Sequence, residues 1–344
     1  MHRKIMHFFK KQKAKNYQKK RNSRLTLQEA SYLRMYRETV SAENKTSIYM
    51  HQTGFDLQFS RYYQSTLNDN FPYYLTGSAN TAEVVVFINS IEPNIVLPDQ
   101  KVILFFHEPL AYTHLYQSKL DDNFAIEHKL EVITHLPTQK LFIQSRNVGK
   151  LHRNIPFVHF HHHADRSLVG NVEQGKRDNL ICTITSGLSG IPGYEDRREF
   201  IEGLTKTNPD FDLYGRYSKF AANIKSYRGE CESKWNTLNN YKFNLVIENS
   251  LEDWYISEKI FDSLICSCFP VYHGSNKVFD ILPRDSFYYL PDLGSQSLAN
   301  LNEFLDNHRD GIKPKISTEY IYERFSFYKA LENILLGRDL RMDA

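Results

Sequence analysis

Along the chain, short unbroken apolar runs end in polar turns, and stretches with apolar residues at helical spacing lie between them. Residues 83–88 (EVVVFI) and 102–106 (VILFF) read as buried strands, with Pro98, Asp99 and Gln100 in the turn between them. Residues 141–143, 157–160, 180–186 (LICTITS), 211–216, 243–247, 269–272 and 287–290 read the same way. Ile256, Ile260, Phe261, Leu264 and Ile265 form one apolar stripe of a helix, with Ser257 as its N-cap and Pro270 following it. Further helices are expected after Pro192, opened by Arg197, Arg198 and Glu199, over 298–305, and as one amphipathic helix over 317–337. Residues 25–70 give no assignable pattern beyond a helix-like stretch at 25–36. Strands alternating with helices imply parallel α/β sheets. The organisation predicted is a tail over 1–24, a first α/β domain over 25–175 and a second over 176–316. A linker is expected near 170–179, and a terminal helix over 317–344 that packs back on the first domain.

The chain has 344 residues, enough for two cores. No run of eighteen apolar residues occurs, so no membrane-spanning helix is expected. Cys182, Cys231, Cys266 and Cys268 form no CxxC pair, and no secretory signal pattern opens the chain, which together suggest reduced thiols and a cytoplasmic setting. The net charge of +3 hides an asymmetry: residues 1–24 carry ten Lys and Arg and no acid, so the remainder is net negative. A nucleic-acid binder would spread such charge over a folded face with stacking aromatics, and that pattern is missing. The arm beginning with Met1 reads either as a solvated tail or as a segment lying peripherally on an anionic membrane surface through Ile5, Phe8 and Phe9.

Candidate chemistry gathers where strands end. The 243–247 strand runs into Glu248-Asn249-Ser250, and Tyr255, Glu258 and Lys259 lie three and four apart at the start of the following helix. Ligands of open parallel sheets bind beyond the strand carboxyl ends, and a helix N-terminus there favours phosphate. A nucleotide is therefore expected. The 102–106 strand runs into His107-Glu108-Pro109. Glu108, with His107 in reserve, is the candidate general base for a hydroxyl whose pKa lies far above neutral. Arg216, at the end of 211–216, and Lys259 would neutralise the charge that grows on a diphosphate leaving group. The glycines at 187, 190 and 193 match neither GxGxxG nor a P-loop. His152, His159 and the contiguous His161-His162-His163 match no zinc spacing, so no metal site is expected.

YKFNLVIENS at 241–250, YISEKIFDSL at 255–264 and FPVYHGS at 269–275 resemble the donor-binding half of glycosyltransferase family 10, the α1,3/4-fucosyltransferases. The resemblance is dense over 241–290, thinner over 100–240, and absent from the first eighty residues. It implies a GT-B architecture, two Rossmann-like domains facing a cleft, in a member of bacterial type. It also implies GDP-fucose as donor, an oligosaccharide or lipid-linked glycan as acceptor, and an inverting displacement with no cofactor. Arg216 and Lys259 would then hold the phosphates, Tyr255 would line the nucleotide, and Glu258 would accept from a ribose hydroxyl or lie near the sugar. Glu248 and Asn249 would shape the pocket wall. The alternatives are a transferase of the same build using another nucleotide sugar, and a non-catalytic glycan- or nucleotide-binding protein.

Overall fold

The computed structural model describes residues 45–52, 71–76, 78–106, 108–110, 122–136, 153–154, 177–185, 192–215, 224–231 and 233–338. The basic arm 1–24, the strands expected at 141–143 and 157–160, the histidines at 152 and 159–163, His107, Arg216 and most of the expected linker lie outside them. The chain divides into two compact units, Met1–Glu108 with Tyr112–Asn154, and Pro109–Ala111 with Ile155–Ala344.

In the first unit, β1 (Thr46–Gln52), β2 (Tyr73–Leu75), β3 (Val84–Ile88), β4 (Lys101–Phe106), β5 (Glu131–Thr134) and β6 (Arg153–Asn154) pair in the order β2-β1-β3-β4-β5-β6. Every pairing is parallel. The β-branched runs VVVFI and KVILFF bury nearly every side chain, as strands covered on both faces must. The sequence reading does not reveal β1, β2, β5 or β6. Ile48 and Met50 are buried, while Tyr49 and His51 are half-buried. The start of β1 is held by Glu83, whose carboxylate accepts from the Ser47 backbone N–H at 2.8 Å and hydroxyl at 3.1 Å. A helix, α1 (Asp122–Glu127), precedes β5.

The second unit contains β7 (Asn179–Ile184), α2 (Pro192–Thr207), β8 (Phe211–Tyr214), β9 (Tyr227–Gly229), α3 (Lys234–Leu238), β10 (Tyr241–Ile247), α4 (Glu258–Ile265), β11 (Phe269–His273), β12 (Tyr288–Tyr289), α5 (Ser295–Asn307), α6 (Thr318–Phe325) and α7 (Phe327–Leu335). Among the described residues its strands form a second six-stranded parallel sheet, ordered β12-β11-β10-β7-β8-β9. Counted from β7, that is the 3-2-1-4-5-6 order of a dinucleotide fold, with its switch point between β7 and β10.

Side chains of β10 alternate between two cores. Phe243, Leu245 and Ile247 pack with Phe200, Ile201 and Leu204 of α2 and Leu301 and Leu305 of α5. Val246 packs on the other side with Ile260, Phe261 and Leu264 of α4 and Tyr322 and Phe325 of α6. Asn244 shares that side, donating through Nδ2 to Ser263 Oγ at 2.7 Å.

Two expectations need correction. The helix after β7 begins at Pro192, not at Arg197, because a proline suits the first helical position, where its missing N–H costs nothing. The expected single helix over 317–337 is two, interrupted at Ser326, whose extended backbone ends α6 and whose hydroxyl caps α7 by accepting from the Tyr328 N–H. No helix among the described residues is long and apolar enough to cross a membrane. No disulfide joins the four cysteines, and Cys182, Cys266 and Cys268 are buried thiols whose pKa burial pushes up.

Candidate nucleotide-binding site

At the switch point the chain leaves β10 through Glu248 and Asn249 and re-enters helix at Ser257. The Ser257 hydroxyl caps α4 by accepting from the Lys259 N–H, as the sequence predicts. Glu248 is only 2% exposed. Its Oε1 accepts from the Ser257 backbone N–H at 2.7 Å, and its Oε2 lies 3.3 Å from Lys259 Nζ. Lys259 Nζ also donates to Ser257 Oγ at 2.9 Å. A buried carboxylate against the positive end of a helix is thereby satisfied on both oxygens. Burial alone would lower the Lys259 pKa, but the Glu248 and Glu258 carboxylates outweigh it and raise it.

From the other side of the switch point comes Arg197, 2% exposed, on the second turn of α2. Its Nη1 donates to Asn249 Oδ1 at 2.9 Å, and its guanidinium lies 4.5 Å from the centre of the Tyr194 ring. Gly193 lets the first turn of α2 approach, since a Cβ there would meet the Asn249 carbonyl oxygen at 3.3 Å. Sequence reasoning passed over Arg197 as a helix-opening charge. The available signal was its distance from Pro192, which puts it one turn inside the helix.

The remaining candidates separate. Tyr255 is buried, and the Trp254 before it holds a left-handed backbone that bulky residues rarely adopt. Glu258 pairs with Lys234 of α3, with Oε1 at 3.4 Å from Nζ. Asp262, one turn along α4, is 2.9 Å from the same ammonium. Gly274, after β11, lies against the Glu248 side chain and the Tyr272 hydroxyl, with no room for a Cβ. In the first unit, Glu108 is half-buried beyond β4 and accepts from Asn89 Nδ2 at 3.4 Å. Asn89, at the end of the neighbouring β3, has a left-handed backbone that asparagine tolerates. In the second unit, the Leu110 N–H donates to both carboxylate oxygens of Glu252, at 2.9 and 3.0 Å. Among the described residues no group of three His, Cys, Asp or Glu side chains is placed to hold a metal ion.

This geometry lies inside a stretch with known relatives. Residues 175–313 match the family model for the C-terminal part of glycosyltransferase family 10 (fucosyltransferase). A fucosyltransferase-like protein of Arabidopsis thaliana is 34% identical over 95 residues, which is 27% of this chain and 17% of that protein. The chain thus matches about a sixth of that relative's length. Among solved structures, a glycosyltransferase from Rickettsia africae superposes with a TM-score of 0.53 at 11% identity, covering 86% of this chain and 98% of its own. Anabaena HepE in complex with UDP and glucose superposes with a TM-score of 0.51 at 12% identity, covering 85% and 98%. The two Rossmann-like units are those of the GT-B fold.

Proposed function

We propose that this chain, whose residues 175–313 are a glycosyltransferase family 10 C-terminal domain, is an enzyme that moves fucose from GDP-fucose to a hydroxyl of a glycan acceptor. The observation that carries the reading is that Lys259, on Glu248, and Arg197, on Asn249, are both held at consecutive residues that leave β10 at the switch point of a dinucleotide-ordered sheet.

The donor's diphosphate arrives with negative charge where a helix N-terminus, an ammonium and a guanidinium are already fixed. As the bond between the sugar's anomeric carbon and the phosphate oxygen breaks, its electron pair goes to the diphosphate, and these groups stabilise the growing charge. Arg197 joins Lys259 in the role the sequence assigns to Arg216, which lies outside the described residues. Glu248 does not react in this reading. It holds Lys259 and the Ser257 amide in place.

On the acceptor side, Glu108 takes the hydroxyl proton as the new bond forms on the opposite face of the sugar, giving an inverting single displacement. The Asn89 amide, by donating to Glu108, steadies the ionised base. An oligosaccharide or a lipid-linked glycan supplies the hydroxyl, and an α1,3-type linkage is the product.

The test is transfer from GDP-fucose to a panel of free and lipid-linked oligosaccharides, read by mass spectrometry, with other nucleotide sugars as parallel donors. The reading expects fucosylated product. It also expects Glu108→Gln to lose about 10²- to 10⁴-fold in rate while still binding GDP. Transfer from a different nucleotide sugar in place of GDP-fucose overturns the donor assignment, and full activity of Glu108→Gln removes Glu108 from the reaction.

A further inference from the structure

Lys234 opens the short helix α3, a segment with no evident site chemistry in its sequence, KWNTL. Its ammonium bridges two carboxylates, Asp262 Oδ2 at 2.9 Å and Glu258 Oε1 at 3.4 Å. Those two acids stand four residues apart on one face of α4, where like charges repel. Asp262 is buried, with a side chain 3% exposed, whereas the Glu258 side chain is 20% exposed. Burial raises the Asp262 pKa despite the opposing pull of Lys234. Lys234 itself is raised, because Asp262 and Glu258 outweigh the burial that would lower it. A pair made only for stability would be complete with the shorter contact to Asp262. The longer arm, to Glu258, reaches the residue next to Lys259 in the chain.

Without Lys234, the Glu258 carboxylate would have a second cation at hand in Lys259, whose electrostatics it already influences. We propose that Lys234 is a positioning residue of the donor site: it draws Glu258 away from Lys259, so that the ammonium is left to the diphosphate and the carboxylate to the hydroxyls of the bound nucleotide sugar. This rests on the donor-site reading above and adds to it a residue from α3.

Four proteins test it: wild type, Lys234→Met, Lys234→Arg, and Lys234→Met with Asp262→Leu. Each is measured for GDP affinity, for donor KM and kcat, and for unfolding midpoint in urea. GDP, GDP-fucose and UDP-glucose are the probes. Lys234→Met is expected to weaken GDP binding and raise donor KM by about tenfold or more, with kcat changed less, as the loss of a charge-assisted contact predicts. Lys234→Arg restores most of the affinity. In the double variant an apolar pair replaces the buried ion pair, so the unfolding midpoint recovers, but donor KM stays raised because Glu258 is still released. Recovery of KM together with the midpoint would make Lys234 a structural residue and overturn the inference. So would a Lys234→Met protein that binds donor as wild type does. If wild type binds none of the three probes, the functional reading falls and this inference with it. Binding by wild type with no change in the variants defeats this inference alone.

Discussion

Glu248 and Lys259 meet 3.3 Å apart with the carboxylate side chain wholly buried and the lysine side chain 23% exposed. The acid is therefore committed to the protein, while the lysine side chain stays partly exposed.

Removing the lysine leaves a buried, uncompensated charge. Lys259→Met is expected to lose about 3–5 kcal/mol of stability, and the second change Glu248→Gln should return much of it without restoring affinity for GDP. The pH dependence follows from the raised Lys259 pKa, which its two carboxylate neighbours cause against burial. A base raised on folding contributes in full below its unfolded value and loses that contribution as pH climbs through the folded one. The gap in urea midpoint between wild type and Lys259→Met should stay constant from neutrality to about pH 10 and narrow above it. A gap that closes below pH 9 contradicts the pairing.

Gly274 is required by space, not by backbone conformation. A Cβ there would sit 2.6 Å from Glu248 Cγ and closer still to the Tyr272 hydroxyl. Gly274→Ala is expected to cost about 1–3 kcal/mol of stability and to weaken GDP binding by displacing Glu248. Adding Tyr272→Phe removes the nearer obstacle and should recover part of the stability, as a denaturant titration would show. Equal midpoints for wild type and Gly274→Ala would mean that Glu248 and Tyr272 yield freely.

Arg197 and Asn249 should behave as a unit toward donor. Arg197→Lys keeps the charge but loses the planar fork that reaches Asn249 Oδ1. Arg197→Lys and Asn249→Ala, alone and together, should show a coupling of about 0.5–3 kcal/mol in GDP binding. Strict additivity, measured by isothermal titration, would separate the two residues.

The strands and helices that carry the site were legible in the sequence wherever a run was apolar on both faces or a helix had a visible cap. Tyr241–Ile247, Glu258–Ile265 and the Ser257 cap are such cases. β1 was not legible, because Thr46, Ser47, His51 and Gln52 leave it too short an apolar run, and it shows itself only through its neighbours β2 and β3. The site divides the same way. Glu248, Asn249 and Lys259 stand at a strand end and a helix start, which local pattern exposes. Arg197 and Lys234 reach Asn249 and Glu258 from other helices, and no local pattern encodes which acid or amide a long cationic side chain will find.

The switch point also sets when the site can exist during folding. β7 and β10 are neighbours in the sheet, yet β8, β9, α2 and α3 lie between them in the chain. The Arg197–Asn249 bond spans 52 residues, so it forms only once that loop has closed. On the proposed reading, donor affinity is thus a property of late, non-local structure. A growing chain gains it after Lys259 is made and the central pair of strands has zipped, and a destabilised variant loses it when that pair opens.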